Sequence, residues 1–409
     1  MKRLLFITLA ALAACGTQQK AQLATGPWQA HLLREDGGEI VFNFEVLDSA
    51  GKKTLYIINA GDRMLVDDVR QEGDSVLIRM PFFDNEFRTV LQADGSLQGL
   101  WIRHLADKDV SIAFKAKPGI SARFDATHAP QFNISGRWPT YFTAPDGTDS
   151  SFAIGEFSQN GINVQGTFLT TTGDYRYLQG VVDGDSLKLS TFDGSHAYQF
   201  IAVITNDSTI GNGVFYQGIT NKEIFTARKD SSAKLQDATT LATVKEAGAE
   251  LDFSFPDLNG EKVSIKDERF KDKVVIVQIG GSWCPNCMDE TAYLSEWYKQ
   301  NKDRGVEIIM LCYERTTDFE KSKKAAGGFA KRFDITYPVL LTGVTPADPK
   351  KAEKTLPQLT GIKGFPTTIY IDKSGKVKEV HTGFNGPGTG EHYEEYKKAF
   401  NALIDGMLK

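Results

Sequence analysis

Cysteine is scarce in this chain of 409 residues: there are four, and none stands between Cys15 and Cys284. That excludes a fold stapled by several disulfides, because most of the length has no thiol to pair. An excess of one charge is missing too. Forty-seven Lys and Arg against 52 Asp and Glu leave a formal charge of -5, with no concentrated basic block, so nucleic acid is not an expected partner. After the first fifteen residues no apolar run is long enough to cross a bilayer. The six histidines do not cluster. His31, His104, His128 and His196 are read as solvent-facing or turn residues, and His381 and His392 have no partner at metal-ligand spacing. No metal site is expected.

What is present begins with "MKRLLFITLAALAAC". Two basic residues precede a short apolar core that ends in small residues, the pattern of a secretory signal. The ending "LAAC" resembles the lipobox of bacterial lipoproteins. That resemblance implies that Cys15 becomes the lipidated first residue of the mature chain. Residues 1–15 are then a signal peptide and 16–25 a tether. The expected location is the periplasmic side of a bacterial membrane or the cell surface, held by acyl chains.

The length suggests two or three domains. Residues 26–228 read as short alternating strands broken by Asp-Gly, Gly-Asp and Asn-Asp turns. The pattern occurs twice. "GPWQAHL" around Trp28 is echoed by "GRWPTYF" around Trp138, 110 residues on, and Gly73 in "EGDS" by Gly184 in "DGDS", 111 residues on. Near-constant offsets indicate an internal duplication, with repeats at 26–132 and 133–228. Each repeat has about six expected strands, forming two small barrels or one larger one. The role of this half is open between a spacer or dimerisation platform and a docking surface. Residues 229–250 read as a polar linker with room for a short helix.

From residue 251 the pattern alternates strand and helix, predicting a mixed sheet with helices on both faces. "KVVIVQIGG" is a continuous apolar strand, and "CPNCMDETAYLSEWYKQNK" follows it as a helix. Cys284 falls at the junction, with Pro285 at the first helical position. Free amides and the helix dipole there favour a thiolate, and such placement pulls a cysteine pKa from about 8.5 to about 7 or lower. Cys287 lies nearly one turn further along. Cys284 is therefore read as the exposed nucleophile and Cys287 as the shielded resolving thiol. Cys312, on a buried strand, reads as a small core residue. The glycine-rich "GFNGPGTGEHY" lacks the lysine of a phosphate loop and reads as a helix-capping turn.

"GSWCPNC", Glu290 three residues later, and "GFPTTIYID" together resemble the TlpA/ResA-like thiol-disulfide oxidoreductases of the thioredoxin fold. The resemblance covers residues 251–409 and leaves the β half unassigned. It implies a redox disulfide between Cys284 and Cys287, a cis Pro366 facing the pair, and Glu290 passing protons to or from Cys287. Trp283, Phe365 and Thr367 would line the substrate groove. Gln278 stands where thioredoxin itself carries a buried aspartate, which leaves proton traffic to Glu290.

The fold class expected is thus an all-β, barrel-like N-terminal half followed by an α/β thioredoxin-like domain. The function expected is a membrane-anchored protein disulfide reductase that needs no metal or organic cofactor. Its partners would be protein thiols and disulfides, apocytochromes among the candidates, and a membrane electron donor of thiol-disulfide type. A thiol peroxidase fits less well, since Gly281 and Ser282 stand where its threonine is required. A copper carrier would want three residues between its cysteines. A binding lipoprotein with a decayed redox half would have lost a motif residue, and none is missing.

Overall fold

The computed structural model describes residues 22–105 and 108–409. The signal segment and Cys15 lie outside the described residues, as do residues 106–107. No described helix is long and apolar enough to cross a membrane.

The N-terminal sheet contains β1 (Gly26–Leu33), β2 (Glu39–Ser49), β3 (Lys52–Asn59), β4 (Asp62–Val66), β5 (Asp68–Glu72), β6 (Ser75–Arg79), β7 (Asn85–Leu91), β8 (Leu97–His104) and β9 (Asp109–Pro118). The second sheet contains β10 (Gly136–Thr143), β11 (Ser150–Asn160), β12 (Asn163–Thr170), β13 (Gly173–Asp174), β14 (Leu178–Asp183), β15 (Ser186–Phe192), β16 (Ala197–Asn206), β17 (Thr209–Gln217) and β18 (Asn221–Arg228). Each unit therefore holds nine strands among the described residues, against about six expected, because Gly-Asp and Ala-Gly turns subdivide the longer runs.

Period-two burial explains the strands. In β9, Ile112, Phe114 and Ala116 point inward between exposed neighbours. The two units repeat in detail. Trp28 and Trp138 are both fully buried, and each indole N–H donates to the carbonyl four residues earlier, Ala24 at 3.0 Å and Ile134 at 2.7 Å. Gly73 and Gly184 occupy equivalent turns at φ +62 and +63, where a side chain would be strained.

The second sheet closes on itself because β11 pairs with β12 as well as β10. Its interior is filled by Phe142, Phe168, Phe200, Phe215 and Phe225, with Phe200 stacked on Phe215 at 4.2 Å. The first sheet ends at β4 and β5 and is sealed by the second unit, whose Phe192 stacks on Phe42 at 4.2 Å. Buried Arg123, in the connection between units, donates to Ile58, Asn59, Gln179 and Ser190 and ties them together.

Residues 229–250 contain no helix; Ala242 is buried in the C-terminal core, and Val244 and Glu250 form bridges to Leu359 and Lys376. The second half of the expected linker is thus packed. Beyond it come the hairpin β19 (Ser254–Pro256) and β20 (Lys262–Ser264), then β21 (Val274–Gly280), α1 (Pro285–Asn301), β22 (Val306–Cys312), α2 (Phe319–Arg332), β23 (Val339–Leu341), α3 (Lys351–Thr355), β24 (Thr367–Ile371), β25 (Val377–Thr382) and α4 (Glu391–Leu408). The sheet order is β23-β22-β21-β24-β25, with β21, β22 and β23 parallel and the other pairings antiparallel.

Every residue of β21 is buried, which is why the sequence there, Gln278 apart, is apolar without alternation. Val274 and Ile276 pack with α1, α2 and α4 on one face. Val275, Val277 and Ile279 pack on the other with Leu251, Phe253, Phe270 and the α3 region. The second face is therefore covered mainly by irregular chain, not by the helices expected there.

Candidate active site

The buried central strand β21 ends at Gly280, and four residues later Cys284 caps the N-terminus of α1. Cys284 and Cys287 form a disulfide, with Cα atoms 5.2 Å apart. The Cys284 Sγ accepts the Cys287 backbone N–H at 3.2 Å, so the sulfur occupies the place of a capping oxygen. On reduction, the same amide and the helix dipole stabilise a thiolate there. Glycine is needed just before. A Cβ on Gly280 would sit 3.3 Å from the Cys287 sulfur, and one on Gly281 would overlap the Trp283 ring at 2.3 Å.

The Phe365–Pro366 peptide is cis. Antiparallel register places Thr367 beside Ile279, which brings Pro366 to the strand end where the cysteine loop begins. Trp283 is half-buried, meets Phe365 edge-on at 5.3 Å and donates its indole N–H to the Tyr313 carbonyl at 2.7 Å. Thr367 differs from its expected place in the groove. It is fully buried, and its hydroxyl donates to the Gly364 carbonyl at 2.8 Å, so it holds the turn before the proline.

Glu290 lies one turn beyond Cys287 on α1 and is fully buried. Its carboxylate accepts from Thr368 Oγ1 at 2.6 Å and from Gln278 Nε2 at 2.8 Å. Burial pushes its pKa up to about 7, against its side-chain hydrogen bonds, which favour the ionised form. Gln278 thus orients the acid by donating to it. A group titrating near neutrality one helical turn from Cys287 suits proton exchange. Cys312 sits in the core, and burial raises its thiol well above the ordinary range.

Cys284, expected to be exposed, is 4% exposed, against 0% for Cys287. His196, read as a solvent-facing or turn residue, stands in the turn between β15 and β16, where it is buried with Nδ1 3.0 Å from Asp193. Several neighbours escaped the sequence reading altogether. The buried Glu314 accepts from the Ser282 amide at 2.9 Å and hydroxyl at 2.8 Å, fixing the loop before Cys284, and Arg315 lies over the Trp283 ring. Their position just past a parallel strand was the available signal, since sites form at the carboxyl ends of such strands. Asp289 forms a two-pronged pair with Arg176 of the β half, at 2.9 and 3.0 Å. Nothing in either local sequence announces it. A cavity of about 640 Å³ between the second sheet and the start of α4, lined by Arg137, Glu156, Tyr177 and His392, includes neither sulfur.

Residues 244–399 match the Redoxin family. The chain is 35% identical over 146 residues to the thiol-disulfide oxidoreductase ResA of Bacillus thuringiensis subsp. konkukian, covering 36% of this chain and 73% of that protein. It is 27% identical over 140 residues to the thioredoxin-like protein YneN of Bacillus subtilis, covering 34% and 73%. Among solved structures it is similar to a thiol:disulfide interchange protein of the thioredoxin family from Chlorobium tepidum TLS, at 23% identity and TM-score 0.30, over 41% of this chain and 100% of that one. With a sulfur pair capping the helix, a cis proline in the adjoining strand turn and a ResA relative matched over most of its length, the chain belongs to the ResA-like thiol-disulfide oxidoreductases of the thioredoxin fold.

Proposed function

We propose that this protein is an exported, lipid-anchored reductase of protein disulfides. The observation that carries the chemistry is the Cys284–Cys287 bond at the start of α1, backed by a buried acid one turn further in. The reduced dithiol is the active reductant. The Cys284 thiolate attacks one sulfur of a client disulfide, forming a mixed disulfide and releasing the other client sulfur as a thiolate. Cys287 loses its proton, with Glu290 as acceptor, and its thiolate attacks the Cys284 sulfur. That closes the intramolecular disulfide and expels the second client thiolate. Two electrons pass to the client, and the two client thiolates take up protons. A membrane donor of thiol-disulfide type returns two electrons to the oxidised pair. Export and anchoring are supported by the basic, apolar and small-residue order of residues 1–15, ending at Cys15.

The test is a trap. A Cys287→Ser variant is expected to accumulate client mixed disulfides at Cys284, and Cys284→Ser none. Equal trapping by both variants, or by neither, removes the assignment of roles.

A further inference from the structure

The redox face described above is not open. The segment that joins β12 to β14 lies against the start of α1, the turn before the cis proline and the loop after β25. Between the two cysteines, at the start of α1, Asn286 meets the Asp174 backbone: with its amide turned so that donor faces acceptor, the side chain accepts the Asp174 N–H at 2.7 Å and donates to its carbonyl at 3.1 Å, and Gly173 lies directly against it. At the turn before the cis proline, a Cβ on Gly364 would fall 2.4 Å from the Thr172 methyl. After β25, a Cβ on Gly383 would fall 2.8 Å from the Thr172 backbone, and one on Gly388 would fall 2.9 Å from the Arg176 backbone. The Gly386 N–H donates to the Asp174 carboxylate at 2.8 Å.

The glycine-rich stretch after β25, which the chemistry of sulfur exchange does not use, thus has a use here. Bare backbone at Gly364, Gly383, Gly386 and Gly388 makes a flat bed on which a second chain segment lies at van der Waals distance. The ion pair from Arg176 to Asp289 fastens one end of that segment to α1. A separate anchor, Phe82 stacked on Phe333 at 5.5 Å with Arg332 over it, holds the β half to α2 away from the sulfurs. The domains therefore have a second attachment that does not depend on the segment.

We infer that residues 171–176 occupy the groove in which a protein client must lie, and so decide which disulfides reach Cys284. Small disulfides enter beside the segment. A protein disulfide, which needs its own backbone laid along the turn before Pro366, reacts only when the segment has been displaced. The 4% exposure of Cys284 in the closed arrangement is consistent with this. The inference rests on the reductase reading above for the identity of the groove.

Two variants in different domains test it in the full chain. Asp289→Asn replaces the two-pronged ion pair with at most one neutral hydrogen bond, while leaving Arg176 its partners Asp193 and Asp62. Thr172→Gly removes the methyl that faces Gly364. Each is expected to raise the rate of insulin reduction at least about fivefold, while the rate with oxidised glutathione stays within about twofold. Each should also raise alkylation of reduced Cys284 by a polyethylene-glycol maleimide relative to iodoacetamide by a similar factor. Unchanged ratios in both variants would overturn the inference. Slower insulin reduction with unchanged glutathione would overturn it as well, making the segment a docking surface instead. If the unmodified protein exchanges neither disulfide, the reductase reading fails, and the alkylation ratio still decides whether the segment covers the sulfurs.

Discussion

Replacing Glu290 with Gln should stabilise the redox domain above neutral pH and do nothing at low pH. The buried carboxyl titrates at about 7 in the folded chain, against 4.5 for an ordinary glutamate. The folded state therefore holds this proton more tightly than the unfolded state. Stability from it is complete below about pH 4.5 and is lost as pH rises through 7. Two and a half units at about 1.36 kcal/mol each amount to about 3 kcal/mol of cost for keeping the ionised group buried at pH 8. Gln carries no such cost at any pH. It also strands no partner: its carbonyl can accept from Gln278 Nε2, and its amide can donate to the Thr368 hydroxyl oxygen. Amide hydrogen exchange in β21, measured on the oxidised protein, reports the opening of this domain without the β half. The expected gain of the variant over the parent is near zero at pH 4.5 and about 3 kcal/mol at pH 8. A gain that does not change with pH, or a loss at pH 8, would refute the argument that burial raises this acid. The same substitution should slow closure of the Cys284–Cys287 bond by roughly a hundredfold and flatten its pH dependence around 7.

Other outcomes follow from the same geometry. Phe200→Ala in the closed second sheet, where Phe200 is fully buried, should cost about 3–5 kcal/mol of β-half stability, read by denaturant unfolding. The Cys287→Ser trap should still form in that variant below its unfolding midpoint; loss of trapping in a folded sample would give the β half a part in the chemistry. Glu314→Ala leaves the Ser282 amide without its acceptor, so a loss of about 1–3 kcal/mol and slower attack by Cys284 are expected; a neutral result in both would show that the loop holds itself. Cys15→Ser should shift the protein from the detergent phase to the aqueous phase on phase partition, and unchanged partition would remove the lipid-anchor reading.

Some of this molecule was legible along the chain. The start of α1 could be read because a strand buried on both faces, a proline at the first helical turn and a three- and four-residue apolar spacing all lie within about twenty residues. The duplication was legible because Trp28 and Trp138, and Gly73 and Gly184, keep their roles at a fixed offset. The strand count was not, because a two-residue strand such as β13 carries no period to detect. Thr367 looked like a groove residue from its place after the proline; which face its hydroxyl takes depended on where the Gly364 carbonyl lay. His196 is buried because the fold places Asp193 and the packed end of β16 around it.

The sequence by itself determined where two thiols three residues apart meet a helix start, because strand, proline and apolar spacing are properties of short windows. The part given to the acid one turn on, and the proline strand set against the pair, came from the resemblance to a known family and from no local pattern. The tertiary structure alone decided how accessible that chemistry is. Arg176 and Asp289 are 113 residues apart, and Asp174 and Gly386 are 212 apart. A single ion pair or amide contact at such separation leaves no periodic trace in either segment. It exists because the packed sheets fix where a loop between two strands ends, and that loop ends on the redox face.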